Sequence, residues 1–243
     1  MPTSKKFSTC MRLGALIVVA GMLTACATES GRPASSAEAD KLVSDARVTL
    51  NNFMSDPDQT WIQQNIDRAK AVLIAPQIVK AGFVFGGSGG RAVLVAKDAG
   101  TVAPHPAIAV PWVGPAFYDL ATASVGFQAG VEVSEAVIVV MTEKGLNSLL
   151  SSSFKIGGDA SIAVGPVGAG AKSTVTADLI SFTRAKGVYG GLNLDGTVVH
   201  SNVAWNDAFY GGTNILPPDI LIRKTATSPK SSALLATVAR ATR

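Results

Sequence analysis

The sequence predicts an α+β domain, mainly antiparallel β and barrel- or sandwich-like, entered through N-terminal amphipathic helices. Three observations carry this. From Val72 onward, short β-branched runs such as VEVSEAVIVVM and ASIAVG alternate with Gly, Pro, Asn and Asp, which is the texture of a fold of many strands and turns. Ahead of them, Ala39, Leu42, Val43, Ala46, Leu50 and Phe53 recur at helical spacing. Hydrophobic residues make up 47% and charged residues 16% of the 243 positions, which supplies a core, excludes a disordered chain and suits one domain with tails.

The chain opens with an address. Lys5, Lys6 and Arg12 form a basic start, and Leu13 to Leu23 is an apolar run that ends in Leu23-Thr24-Ala25-Cys26. Residues 1–25 therefore read as a secretory signal. Eleven apolar residues at a helical rise cover about 16 Å, half of the roughly 30 Å that a membrane span needs. No apolar run is long enough to predict a permanent span. The LTAC tetrad resembles the lipobox of bacterial lipoproteins. That resemblance implies acyl chains on Cys26 as the first mature residue, with a spacer over 26–35. Ala27 resembles the sorting preference for the outer membrane, facing the periplasm. An ordinary secretory signal is the alternative; Cys10 lies in the removed segment either way.

This resets the charge. The net +4 falls to +1 once a segment with three Lys/Arg and no acid is removed. Residues 223–243 carry five Lys/Arg and no acid, which leaves 26–222 at −4. Basicity confined to the ends argues against nucleic acid as a partner. The Ser/Thr/Ala-rich stretch 223–243 reads as a basic, flexible tail.

Between these ends lies the expected domain, 36–222. Ser35-x-x-Glu38 is a capping box ahead of a helix over 36–53. Asp56-Pro57-Asp58-Gln59 predicts the start of a second helix, with Trp61, Ile62, Ile66 and Ala69 on its apolar face. Strands are expected at 71–75, 78–86, 91–97, 108–113, 122–133, 135–141, 159–165, 174–184, 187–194 and 197–204, with one helix over 143–151.

Several separated blocks carry a resemblance. They are Val79-Lys80-Ala81-Gly82-Phe83 with Gly86-Gly87-Ser88-Gly89-Gly90, then Val131-Glu132-Val133-Ser134-Glu135, then Ile162 to Gly168, then Ser181 to Leu192. In this order they resemble the SYLF domain family, over roughly residues 37–222. The resemblance implies a β-rich fold, lipid binding through an N-terminal amphipathic helix and basic residues, and, in some yeast members, actin binding. Residues 36–53 hold the place of that helix. Lys80 falls in the KAGF block, and Arg184 and Lys186 in the RAKG block. Ala169 departs from the family, which often has a basic residue after its Gly-Pro-x-Gly motif.

The candidate lipid-binding residues are Lys80, Arg91, Lys97, Arg184 and Lys186. Basic groups beside exposed backbone amides suit a lipid phosphate. Gly86–Gly90 also satisfies G-x-S-x-G, with Asp178 and His200 downstream, but the following RAVLVAK alternates like a strand, so a glycine hairpin is expected and a Ser88 esterase is a remote alternative. His105 and His200 stand apart from any Cys or second His, so no metal and no cofactor is predicted. Glu132 and Glu135 are expected on opposite faces of a strand, solvated. Trp61, Trp112, Trp205, Phe117 and Tyr210 are read as core, with an apolar groove as the alternative. The expectation is a non-catalytic, lipid-anchored envelope protein that binds a phospholipid or phosphoinositide-like headgroup, its partners being membrane lipids, anionic phospholipid first. An adaptor that binds an envelope protein is the alternative.

Overall fold

The computed structural model describes residues 34–82, 85–98, 100, 112–125, 130–168, 176–187 and 193–242. Cys26 and the rest of the expected signal and spacer up to residue 33 lie outside them, as does His105. Those from Ser35 on belong to one unit.

The capping box forms as the sequence predicts. The Ser35 hydroxyl accepts from the Glu38 amide, and the Glu38 carboxylate accepts from the Ser35 amide. It starts α1, Ser36–Ser55. The second helix starts later than expected: α2 is Thr60–Asn65, continued by a 3-10 turn over Ile66–Arg68. The Asp56 carboxylate instead accepts from the Asp58 amide in a local turn. Four long strands follow: β1 Ala71–Gly82, β2 Phe85–Lys97, β3 Trp112–Val125 and β4 Gly130–Val140. Then come α3 Glu143–Leu150, β5 Ser153–Lys155, β6 Ile162–Val164, β7 Leu179–Gly187 and β8 Val198–Ser201. The chain closes with α4 Val203–Tyr210, α5 Pro217–Leu221, a 3-10 turn at Pro229–Ser231 and α6 Ser232–Ala241.

One sheet takes all eight strands in the order β5-β8-β3-β2-β1-β4-β7-β6. Its pairs are antiparallel except β6 with β7. The two edge strands, β5 and β6, are consecutive in the chain, joined only by residues 156–161. That link reaches at most about 25 Å. A flat sheet of eight strands at ~4.8 Å spacing would hold its edges about 34 Å apart. The sheet must therefore curl, and it forms a half-barrel. Gly157 makes the link possible. Its φ is +83°, and a Cβ there would lie 1.7 Å from the Asp195 carboxylate.

Alternation along the strands separates two cores. The inner face of the curl buries Leu73, Ala75, Ile78, Leu94, Tyr118, Leu120 and Ile138 against Leu149, Phe154, Leu194, Ile220 and Leu221. The outer face buries Val72, Ile74, Val93, Val95, Phe117, Val137 and Phe182. There α1 packs over β1, β2 and β4, flanked by α4 and α6. Its apolar stripe, Ala39, Val43, Ala46, Leu50 and Phe53, is buried, so the face that the resemblance assigns to membrane lies on the sheet. No helix among the described residues is long and apolar enough to cross a membrane.

Several expectations are corrected. Gly86–Gly90 is not a hairpin turn but strand, paired on both sides with β1 and β3. The register of β1 with β2 shifts at a bulge between Ile74 and Gln77. A Cβ on Gly90 would stand 2.5 Å from the Gln77 carbonyl oxygen, so glycine is required there for close approach. The runs at 71–75 and 78–86 merge into β1 across that bulge, apart from its last residues. The stretch 122–133 divides between the ends of β3 and β4. The run at 197–204 stops at Ser201, because Asn202 caps α4 by accepting from the Trp205 amide.

The expected flexible tail is folded. Leu234 and Val238 of α6 are fully buried, and the helix packs on α1 and β3. The body's acidic residues take up its charge: Lys230 pairs with Asp40 at 2.9 Å, Arg223 with Asp219, and Lys224 with Asp98. The domain therefore continues past 222. Replacing Leu234 by Ala should lower stability by about 2–5 kcal/mol, the usual cost of a cavity at a closed site. A urea midpoint unchanged from the parent chain would restore the mobile-tail reading.

Candidate functional site

Four strands of 12, 13, 14 and 11 residues are about 37–48 Å long at 3.4 Å per residue. One half of each carries both cores. Their other halves, 77–82, 86–91, 119–125 and 130–135, overhang the outer helical layer. On the outer face a charged row marks the boundary. Arg91 pairs with Asp119 at 3.6 Å and lies over the Trp205 ring. Arg184 holds Glu135 at 2.8 Å and Asp56 at 3.6 Å, and covers Phe53. Burial raises the pKa of Asp119, opposed by Arg91 and by the Asn202 amide.

Beyond that row the outer face is small and apolar. In register stand Ala121, Gly89, Val79 and Val133, then Ala123, Gly87, Ala81 and Val131. Val79 is 39% and Val131 60% exposed; Ala81, Ala121 and Ala123 are exposed too. The same overhang presents a polar row on the inner face: Thr122 opposite Ser88, Ser88 opposite Lys80, and Lys80 opposite Glu132.

The structure does not gather the five predicted basic residues into one cluster. Lys80 is on the inner face, engaged within the protein. Arg91 and Arg184 are on the outer face, each in an ion pair. Lys97 ends β2, nine residues beyond Ser88 or about 31 Å along the strand; it donates to the Asp67 carbonyl and approaches the Trp112 ring. Lys186 stands opposite Val133 on β7, and its side chain lies outside the described residues. Glu132 and Glu135 do take opposite faces, but both are buried, which corrects the expectation that they are solvated. Trp61, Trp112, Trp205 and Phe117 are buried. Tyr210 donates to the Pro115 carbonyl, and burial raises its pKa, as it does that of Tyr118. The apolar overhang was missed because Gly, Ala and single Val residues give no amphipathic signal.

Ser88 lies mid-strand, opposite Lys80 and Thr122, with no helix behind it, so the strand–turn–helix setting of a nucleophile elbow is absent. Asp178 precedes β7 and His200 lies in β8, on opposite sides of β2 in the sheet. They form no triad with Ser88. Among the described residues no three His, Cys, Asp or Glu side chains are grouped to hold a metal.

A family model described as "Ysc84: Las17-binding protein actin regulator" matches residues 121–241, a span that includes α6. Protein YSC84 of Saccharomyces cerevisiae is 28% identical over 193 residues, 76% of this chain and 38% of that protein. LAS seventeen-binding protein 3 of the same species is 28% identical over 169 residues, 66% of this chain and 34% of that protein. SH3 domain-containing YSC84-like protein 1 of Xenopus laevis is 25% identical over 178 residues, 71% and 50%. The chain thus spans between a third and a half of these relatives. No solved structure gives a significant match.

Asp178 holds the sheet to α3 instead. Its carboxylate accepts from the Thr142 hydroxyl at 2.6 Å and from the Ser161 amide and hydroxyl at 3.0 and 2.8 Å. These bonds, Thr142 first, lower its pKa from 3.8 to about 2, against the opposing effect of burial. A depressed carboxyl pKa contributes stability above its unfolded value, and that contribution is lost as pH falls through the folded value. Asp178→Asn should therefore be less stable than the parent at pH 7. The gap should close between about pH 4 and pH 2. Urea titrations of both proteins across that window measure it, and a gap independent of pH would contradict the assignment.

Proposed function

The chain belongs to the Ysc84 family of SYLF-domain proteins, and from that membership we propose that it is a non-catalytic binding module held at a membrane, whose folded domain engages the lipid surface. The observation that carries this reading is the bare aliphatic overhang. Val79, Ala81, Ala121, Ala123 and Val131 form an exposed apolar strip four strands across, flanked by the paired charges of Arg91 and Arg184 rather than by free ones. Such a strip offers apolar area to the headgroup–acyl boundary. The lipobox-like LTAC adds a covalent anchor at Cys26. The setting that fits is a bacterial envelope, on the periplasmic side of the outer membrane. A second reading is an adaptor for a protein partner, favoured by the binding named in the descriptions of the yeast relatives.

In this reading, radiolabelled palmitate enters the parent chain and not Cys26→Ser. In co-sedimentation, Cys26→Ser still pellets with phospholipid vesicles, and Val131→Asp within it lowers pelleting at least tenfold. Equal pelleting by both proteins would remove the overhang from the reading. No pelleting without the acyl group would leave the anchor alone in contact with lipid and turn the search to a protein partner. A serine-reactive fluorophosphonate should leave Ser88 unlabelled.

A further inference from the structure

Glu132 is a carboxylate in the wrong place for a surface role. It is fully buried on the inner face of the half-barrel. One of its oxygens accepts from the Ser134 hydroxyl at 2.8 Å. The other is buried and accepts nothing among the described residues. A buried carboxylate oxygen without a donor is costly, and such groups persist where a partner completes them.

What surrounds it defines that partner. Glu132 is directly opposite Lys80, Lys80 opposite Ser88, and Ser88 opposite Thr122. The Thr197 hydroxyl lies 2.7 Å from that of Thr122 and extends the row. One inner face thus aligns an acceptor that lacks a donor, a cation and three hydroxyls, across neighbouring strands about 4.8 Å apart. The next inward positions on β1, β2 and β4 are Gly82, Gly86 and Gly130, in register with one another. No side chain from these positions stands between the row and the end of the sheet.

We propose that this row binds an amino-phosphate: a primary ammonium donates to the unpartnered Glu132 oxygen, and a phosphate a few bonds away accepts from Ser88 and Thr122. Lys80, which keeps its own interaction within the protein, supplies positive charge beside the phosphate. The chemistry is shared by a phosphatidylethanolamine headgroup and by free O-phosphoethanolamine. It excludes phosphocholine, because a quaternary ammonium has no N–H to give to Glu132. Where the source is a lipid, the inference rests on the membrane reading above; the site itself does not.

The test uses the full chain, so that any contribution of the anchor is common to every arm. O-phosphoethanolamine and phosphocholine are titrated calorimetrically, and vesicles of phosphatidylcholine with and without phosphatidylethanolamine are co-sedimented. The expected result is binding of O-phosphoethanolamine with phosphocholine at least tenfold weaker, and a gain in pelleting with phosphatidylethanolamine. Glu132→Gln should lose at least tenfold in affinity. Ser88→Ala, at a position that needs no refolding of the core, should lose severalfold with its urea midpoint unchanged, and it decides the matter if Glu132→Gln does not fold. Binding of the free molecule without a gain on the vesicles supports the site and assigns it a soluble ligand. Vesicle binding indifferent to phosphatidylethanolamine, with no binding of the free molecule, overturns this proposal while the lipid reading stands. Equal binding of both phosphates, or a Ser88→Ala protein that binds like the parent, overturns it as well.

Discussion

The connection between β5 and β6 governs this molecule. Six residues tie the two edges of an eight-stranded sheet, and a chain that short cannot span the width of a flat sheet. The sheet curls, and the curl creates an inside that has to be filled. The aliphatic halves of the strands, with α3, α5 and Leu194, fill one end of it. At the other end the inward positions are Thr, Ser, Lys, Glu and Gly, and that end stays polar. The same curl bows the outer face toward α1, whose stripe of Ala, Val, Leu and Phe meets Val and Ile of β1, β2 and β4. Gly157 and Asp195 guard the tie, since no side chain fits at that corner.

The elements with a local chemical signature were legible in the sequence. The capping box located α1 to the residue at its start. The helix expected over 143–151 is α3, and the β-branched runs gave the fold class and much of β1, β2 and β4, but not the middle of β3, residues 114–121. Where the outcome depended on a distant partner, local reading failed. The run Gly86-Gly87-Ser88-Gly89-Gly90, four glycines around a serine, is turn-like by propensity. In β2 it is strand, because β1 and β3 pair with it on both sides and a side chain on Gly90 would meet the Gln77 carbonyl at the β1 bulge. Asp56-Pro57 carries helix-start residues, yet Asp56 closes a turn and receives Arg184. The tail looked mobile because Ser, Thr and Ala dominate it, and Leu234 and Val238 give too short a pattern to stand out alone.

The candidate site was legible only in part, for an electrostatic reason. Lys80, Arg91, Lys97, Arg184 and Lys186 were grouped by sequence block. In the fold, strand alternation and strand length divide them between faces and ends. Arg91 and Arg184 are each matched by a carboxylate from a neighbouring strand, so they contribute to the cohesion of the outer face before they offer anything to a ligand. Of the two, the half-exposed Arg91–Asp119 pair adds little to stability by itself. Here the two pairs mark where helical cover ends and the bare overhang begins. Glu132 gives no such warning in sequence. VEVSE alternates like a half-solvated strand, and only the curl turns its glutamate into a buried one.

The charge distribution argues that the C-terminal segment is part of the domain. A body with an excess of acids and a tail with five basic residues attract each other at short range. Lys224 and Lys230 meet Asp98 and Asp40 from segments far away in sequence. Lys230 also reaches the first turn of α1 through Ser36, and α6 packs along the same helix. The tail therefore packs beside α1 on the outer face of the sheet, and the buried stripe of that helix is taken up by the sheet and its flanking helices. The family match, which runs to residue 241, covers the same segment. With the stripe of α1 buried against the sheet and α6 alongside, the membrane contact proposed above would draw on a surface other than that stripe, and the uncovered end of the sheet is one exposed apolar surface among the described residues.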